Sequence, residues 1–248
     1  MKIIVLLKQV PDLVEDLEVD ASGKTLDRSD IKFKLNEYDD HALEEAILLK
    51  ESGAVDEIIA MAVDGAGTDK MLFTAIAKGA DGAVKLTGGN PADSHQLGKA
   101  FSNVLASESY DMIFTGVQSV DDRDGQLGPI IGSYLRIPCL SVVSGVKVSG
   151  DTAVIHKEYS GGMMGEFEVD LPAVLGIQAA KQSPRYAPVS KIRQVQETMS
   201  VIEASMGELG SGSGSSVASM APPEKVAGAE MLEDVEALID VLKDKGVI

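Results

Sequence analysis

Residues 115–135, TGVQSVDDRDGQLGPIIGSYL, hold the densest set of groups that could do chemistry in this chain. Gly116, Gly125 and Gly128 permit close backbone approach, Asp121, Asp122 and Asp124 supply carboxylates, and Gly125-Gln126-Leu127-Gly128 leads into an apolar helical pattern. A helix that starts after a glycine-rich loop presents free N–H groups and the favourable end of its dipole to an anion. Phosphate cradling is therefore one reading of the loop and a plain solvated connection is the other. Adjacent aspartates point apart unless a turn folds them together, so capping or solvated carboxylates are favoured over a magnesium site.

A second stretch, VDGAGTD (63–69), offers Gly65 and Gly67 before Thr68 and Asp69 at another helix start, again suited to an anion. The usual phosphate fingerprints are absent, with no GxGxxG after the first strand and no GxxxxGK[ST] anywhere. His41, His95 and His156 are scattered, Cys139 is alone, and no Ser-His-Asp order or nucleophile elbow occurs. Such a chain is read as holding a cofactor; no catalytic residue and no metal ligand is assigned.

Elements that must position these loops follow from periodicity. Apolar runs at 3–7, 57–63, 83–86 and 110–114 read as strands, and 38–51, 67–79 and 93–108 carry apolar residues at helical spacing between them. Asn36 or Asp39 can cap the first helix and Gly53 can end it, Gly79 follows the second, and Asp93 opens the third. This alternation predicts an α/β fold, a parallel sheet with helices on both faces. Ligands of such sheets sit beyond the carboxyl ends of the strands, near the switch in strand order, so loops 8–16, 36–39, 63–69 and 115–128 are the ones to inspect.

After residue 138 the texture changes to apolar–polar alternation around SGD and SGG turns, predicting a small antiparallel insertion whose last strand, 172–177, rejoins the sheet. Residues 206–228 are rich in Gly, Ser, Ala and Pro and read as a flexible or surface-draped linker. In the final segment, 229–248, Leu232, Val235, Leu238, Ile239 and Leu242 share one helical face, which must cover apolar surface of this chain or of a partner. The expected organisation is an α/β domain over 1–205, the linker, and the tethered helix.

Composition narrows the function. The 248 residues carry 22 basic and 39 acidic side chains, a net charge of -17 that repels nucleic acid and anionic membranes at long range. Aromatics are 4% and Trp is absent, leaving few stacking platforms for bases. The N-terminal MKIIVLLKQVPD is too short in apolar residues for a signal peptide, and no run is long enough to span a bilayer, so a cytoplasmic protein is expected. Cys139 excludes an internal disulfide and reads as a buried structural thiol.

Five collinear stretches resemble the beta subunit of electron-transfer flavoproteins. They are VLLKQVPD, LNEYDDHALEEAILLKE, TGVQSVDDRDGQLG at the position of the family's nucleotide loop, LPAVLGIQAAKQSPRYAPVSKI, and the closing EDVEALIDVLKDKGVI. The resemblance implies a doubly wound, mostly parallel sheet of the adenine nucleotide α-hydrolase-like kind. It implies a heterodimer with an alpha subunit that holds most of the redox-active FAD, with Tyr38 and Leu13 of this chain reaching that flavin. Electrons would come from a dehydrogenase donor and leave to a quinone-linked or other acceptor, with no side-chain catalysis by this subunit.

The resemblance also implies a nucleotide in this chain's own domain: AMP, or alternatively a second FAD in electron-bifurcating members. Its contacts would come from Leu6, from Asn36, Glu37, Tyr38 and Asp39, from Val63, and from Gly116, Gln118, Ser119, Val120, Asp121, Asp122, Asp124, Gly125, Gln126 and Leu127. QLGP and KQVPD resemble bifurcating members, whereas Asp122 in place of glycine resembles the AMP-binding kind, which is the leading reading. Segment 183–198 resembles the family's recognition loop, with Arg185, Tyr186, Val189 and Ile192 facing the partner and Val189 as its apolar tip. RQVQET stands where the family carries lysines, which implies a different redox partner from the standard dehydrogenases. The alternative reading is a stand-alone adenine-nucleotide sensor in the manner of universal stress proteins, which would need neither SPRYAPVSKI nor a tethered helix.

Overall fold

The computed structural model describes residues 1–224, 228–229 and 231–248; positions 225–227 of the expected linker and 230 of the expected terminal segment lie outside the described residues. The chain divides into two compact units, residues 1–17 with 28–216, and residues 18–27 with 217–248.

The larger unit begins with β1 (Lys2–Leu6), a short antiparallel pair β2 (Gln9–Pro11) and β3 (Phe33–Leu35), and α1 (Glu37–Glu51). Then come β4 (Glu57–Val63), α2 (Thr68–Lys78), β5 (Gly82–Thr87), α3 (Ser94–Leu105), β6 (Met112–Gly116) and α4 (Leu127–Leu135). Strands β7 (Cys139–Ser149), β8 (Thr152–Tyr159), β9 (Met163–Asp170) and β10 (Ala173–Ile177) follow, then α5 (Val189–Thr198) and β11 (Ile202–Ser205).

The main sheet runs β11-β5-β4-β1-β6-β10-β7-β8-β9, parallel as far as β7 and antiparallel beyond it. Strand order reverses between β1 and β6: the chain first winds outward through β4 and β5, then returns to the other side of β1. β1 is buried on both faces, which is why it reads as the unbroken run IIVL rather than as an alternation. Ile3, Val5 and Leu7 join the core that includes α1 and α2, while Ile4 and Leu6 join the core that includes α3 and α4. Each such fully buried side chain stabilises the fold by about 1.5–3 kcal/mol. The expected doubly wound α/β architecture is the one observed.

The antiparallel part is less separate than its sequence implies. β7 pairs in parallel with β10 near its start (Val174↔Cys139) and antiparallel with β8 near its end (Ser149↔Thr152), so one strand serves both regions. Val142, at the register shift opposite Gly176 and Ile177, has φ 66, a left-handed conformation rare for a β-branched residue.

The start of the expected linker is anchored. Met206 is fully buried, and Asn103 Nδ2 donates to the carbonyls of Met206 at 2.8 Å and Glu208 at 3.0 Å. Ser213 N–H donates to Asp93 Oδ2 at 2.6 Å, which ties the segment to the capping residue of α3.

In the smaller unit, Val19 bridges Leu26 and Met220 N–H donates to the Gly23 carbonyl at 2.7 Å. Its helix α6 (Val235–Asp244) is capped by Asp234, whose Oδ1 accepts from Ala237 N–H at 2.8 Å. Val235, Leu238 and Ile239 on its apolar face are exposed. Among the described residues no helix is long and apolar enough to cross a membrane.

Candidate functional site

The carboxyl ends of β1 and β6, the two strands at the switch in order, leave a narrow cleft. Its walls are Lys8 beyond β1, Asp39 in the first turn of α1, Ser94 and Leu97 of α3, and the loop from Gly116 to Leu127 that opens α4.

Asp39 ties three of these elements together. Its Oδ2 accepts from Lys8 N–H at 2.8 Å and its Oδ1 from Gly116 N–H at 2.9 Å, so the start of α1 clamps the ends of β1 and β6. Gly116 is demanded by that clamp: a Cβ there would lie 2.4 Å from Asp39 Oδ1 and 2.7 Å from Tyr38 Cβ. Asn36, fully buried, donates from Nδ2 to the Gln118 carbonyl at 2.9 Å instead of capping α1 with its side chain. Its Oδ1 and the buried Thr115 Oγ1 have no hydrogen-bond partner among the described residues.

The loop has its own internal order. Arg123 (φ 55) and Gly125 (φ 62) turn it, Asp122 Oδ1 accepts from Asp124 N–H at 3.2 Å, and Asp124 Oδ1 accepts from Gln126 N–H at 3.0 Å. Leu127 and Gly128 then open α4, where their N–H groups have no intrahelical acceptor. Lys8 Nζ reaches across to Ser119 Oγ at 3.0 Å, Asp121 Oδ1 at 2.9 Å and Asp122 Oδ2 at 2.8 Å. Burial pulls the Lys8 ammonium down, but its bonds to Asp121 and Asp122 outweigh that and hold its pKa above the usual lysine value. For Asp122, burial pushes up and Lys8 prevails, leaving the carboxyl below its usual range.

Burial dominates at Asp39, pushing its carboxyl from 3.8 up to about 7 against the opposing bonds from Asn36, Lys8 and Gly116. The folded state therefore keeps this proton to higher pH than the unfolded chain, and the Asp39 contribution to stability falls as pH rises from about 4 to about 7. Asp39→Asn removes that dependence. The parent's urea midpoint is expected to fall as pH rises across that window while that of Asp39→Asn stays flat, although the amide can accept only one of the two N–H bonds and starts from a lower stability.

Of the sequence-predicted site residues, the structure gathers Asp39, Gly116, Gln118, Ser119, Asp122, Asp124, Gly125, Gln126 and Leu127 around the cleft. Asn36 bonds the Gln118 carbonyl, Tyr38 stands beside Gly116, and Asp121 is exposed and bonds Lys8. Leu6 is buried in the core and Val63 packs against the same cluster. Leu13, 59% exposed, Glu37 and Val120 do not line it. Lys8, Ser94, Leu97 and Val117 also line the cleft without having been singled out; Lys8 and Val117 fall within the loops 8–16 and 115–128 marked for inspection, whereas Ser94 and Leu97 of α3 do not.

The 63–69 loop is exposed from Asp64 to Gly67 and is braced at its ends. Gln9 Nε2 lies 3.1 Å from where a Cβ on Gly67 would stand, Thr68 Oγ1 donates to the Val63 carbonyl at 3.1 Å, and Asp69 pairs with Lys85 at 3.0 Å. Cys139 packs beside the core under α4, and burial pushes its thiol up to about 11, keeping it protonated at neutral pH.

Segment 178–185 is held by α1. His41 Nδ1 accepts from Ala180 N–H at 3.2 Å, and Glu45 accepts from Val146 N–H at 3.2 Å and Lys181 N–H at 3.1 Å. Glu44, 3% exposed, accepts from Arg185 Nη2 at 2.9 Å and Nε at 3.0 Å, and Glu51 accepts from Arg185 Nη1 at 2.5 Å. Arg185 is thus turned onto α1. Tyr186 at 80% and Val189 at 56% face solvent, and Ile192 is half-buried.

Comparison with known proteins agrees with this geometry. Residues 23–204 match the family model described as "Electron transfer flavoprotein domain". The chain is 38% identical over 215 residues to the electron transfer flavoprotein subunit beta of Methylophilus methylotrophus, covering 85% of this chain and 81% of that one. It is 38% identical to the subunit beta of Clostridium acetobutylicum over 77% of this chain and 74% of that one. It is 28% identical to the human subunit beta over 100% and 99% of the two chains. A doubly wound sheet with its cleft at the strand-order switch, matched over this length, means that the chain belongs to the electron transfer flavoprotein family as a beta-subunit homologue.

Proposed function

We propose that this protein is the beta subunit of a heterodimeric electron-transfer flavoprotein and binds AMP in the cleft between the ends of β1 and β6. One observation carries the reading: a cleft at the switch in strand order lined by the glycine-rich loop and a helix N-terminus, with unsatisfied buried polar atoms adjoining it. Gly116, Gln118, Ser119, Gly125, Gln126 and Leu127 would hold the nucleotide, with Asn36 and Asp39 fixing the wall behind it. The main-chain groups near Leu6 and Val63 would stand at the adenine side. A second FAD at the same place is the alternative for a bifurcating protein.

The redox FAD would lie mainly in an alpha subunit. Bound there, it supplies reversible uptake of electrons from a dehydrogenase and their delivery to an acceptor. This chain's part is to shield the flavin and orient the partner. Leu13 at 59% and Val14 at 88% exposure form an apolar tip suited to cover it, and Tyr38 lies partly buried at the start of α1. Tyr186, Val189 and Ile192 would meet the electron donor, with Arg185 holding their segment on α1. The exposed apolar face of α6, reached through the 206–228 tether, would pack on the alpha subunit. A cytoplasmic location fits the -17 charge and the single cysteine.

A stand-alone sensor is disfavoured because the family match extends through 183–198, a segment that such a sensor does not need. Co-expression with a flavin-binding alpha subunit tests the proposal. A yellow complex that co-elutes on gel filtration is expected; a colourless chain eluting alone would contradict it.

A further inference from the structure

Lys8 is the charged residue among those lining the cleft that the family reading leaves without a role. Asp121 and Asp122 are adjacent, Asp124 follows one residue on, and the whole chain is at -17. Three carboxylates within four residues repel one another and would open the turn that carries them. Among the described residues, Lys8 is the one cation within ion-pair distance of Asp121 or Asp122. Its ammonium also bonds Ser119, which is buried, so the pair is anchored at the base of the turn as well as at its tip. The backbone of the same residue is fixed by Asp39 Oδ2 at 2.8 Å. Lys8 thereby joins the end of β1, the start of α1 and the loop after β6.

Resting on the nucleotide reading above, we propose that Lys8 is the positioning residue of this site: by neutralising Asp121 and Asp122 it holds the 119–122 turn in the ligand-ready conformation, and sets affinity without contacting the nucleotide. An isolated surface pair would have little effect; here the two exposed ion pairs share their ammonium with the part-buried Ser119 hydroxyl, and all three bonds converge on one turn. Loss of the ammonium leaves two neighbouring carboxylates without a counter-charge beside an anionic ligand.

The test is calorimetric titration of AMP into the full-length chain and its variants, with thermal midpoints recorded for each. Lys8→Gln is expected to weaken AMP binding by about tenfold or more, and Lys8→Arg to restore it to within about threefold. Asp121→Asn with Asp122→Asn removes the repulsion and should bind AMP within about threefold of the parent, and adding Lys8→Gln to that pair should cost little more, since the ammonium then has no charge to neutralise. If Lys8→Gln does not fold, Lys8→Arg and the paired aspartate variant carry the comparison. A tenfold loss that persists when Lys8→Gln is added to the paired aspartate variant would make Lys8 a direct contact and overturn the proposal. A parent that binds AMP alongside an unaffected Lys8→Gln variant removes the role of Lys8 alone. A parent that takes up no AMP fails the nucleotide reading and the role of Lys8 with it.

Discussion

Gly116→Ala is expected to destabilise the chain by about 3 kcal/mol, lowering Tm by roughly 6–12 °C in a thermal scan. The added methyl would lie 2.4 Å from Asp39 Oδ1, 2.7 Å from Tyr38 Cβ and 2.9 Å from the Asp39 backbone N. Neither α1 nor β6 can yield cheaply. α1 is buried continuously from Ala42 to Ile47, and every residue of β6 is buried. Any retreat also lengthens the Gly116 N–H bond to Asp39 at 2.9 Å, which leaves a buried carboxyl short of a donor. Gly65→Ala is the control: its methyl meets only Thr68 Oγ1 at 3.6 Å, an ordinary contact, and should change stability by about 0.5 kcal/mol at most. Equal effects at the two positions would show that the clamp is not the source of the loss.

Arg185→Met should cost about 3–5 kcal/mol in urea unfolding, because it strands the Glu44 carboxylate in the interior. Glu44 is 3% exposed, and the guanidinium supplies its side-chain counter-charge through Nε and Nη2. The pair Glu44→Gln with Arg185→Met should recover most of that loss, since removing both charges leaves no buried ion to satisfy. If the double variant is as unstable as the sum of the singles, packing of the arginine stem rather than the ion pair holds the segment. The result bears on function through geometry: Arg185 fixes the segment on which Tyr186 and Val189 are exposed.

The frame of this fold was legible because its central strands are buried on both faces. IIVLL, EIIAMAV and the run ending in MIF are continuous and apolar, and the helices between them end at Gly53 and Gly79 or begin at Asp93, whose Oδ1 accepts from Gln96 N–H at 2.9 Å. β11 was not legible. It has four residues, Ile202–Ser205, its one large apolar side chain, Ile202, is 64% exposed, and its partner β5 lies more than a hundred residues earlier. The small β2–β3 pair is equally short, three residues a strand.

The site was legible in its loop and not in its supports. Glycines and aspartates announce a turn, but what Asp39 does depends on two backbone N–H groups brought from positions 8 and 116. Glu44 and Glu45 illustrate the same limit. A pair of glutamates in a helix reads as a solvated face, yet both are buried here because a segment some 140 residues on lays its N–H groups over them. Charge on a helix shows its environment only when the covering segment is known.

As proposed above, the cleft between β1 and β6 would hold AMP and a partner subunit would carry most of the redox flavin. Acid release and counting of the ligands from the purified heterodimer tests it most directly. One FAD and one AMP per dimer are predicted; two FAD with no AMP, or a flavin with no second nucleotide at all, would contradict it.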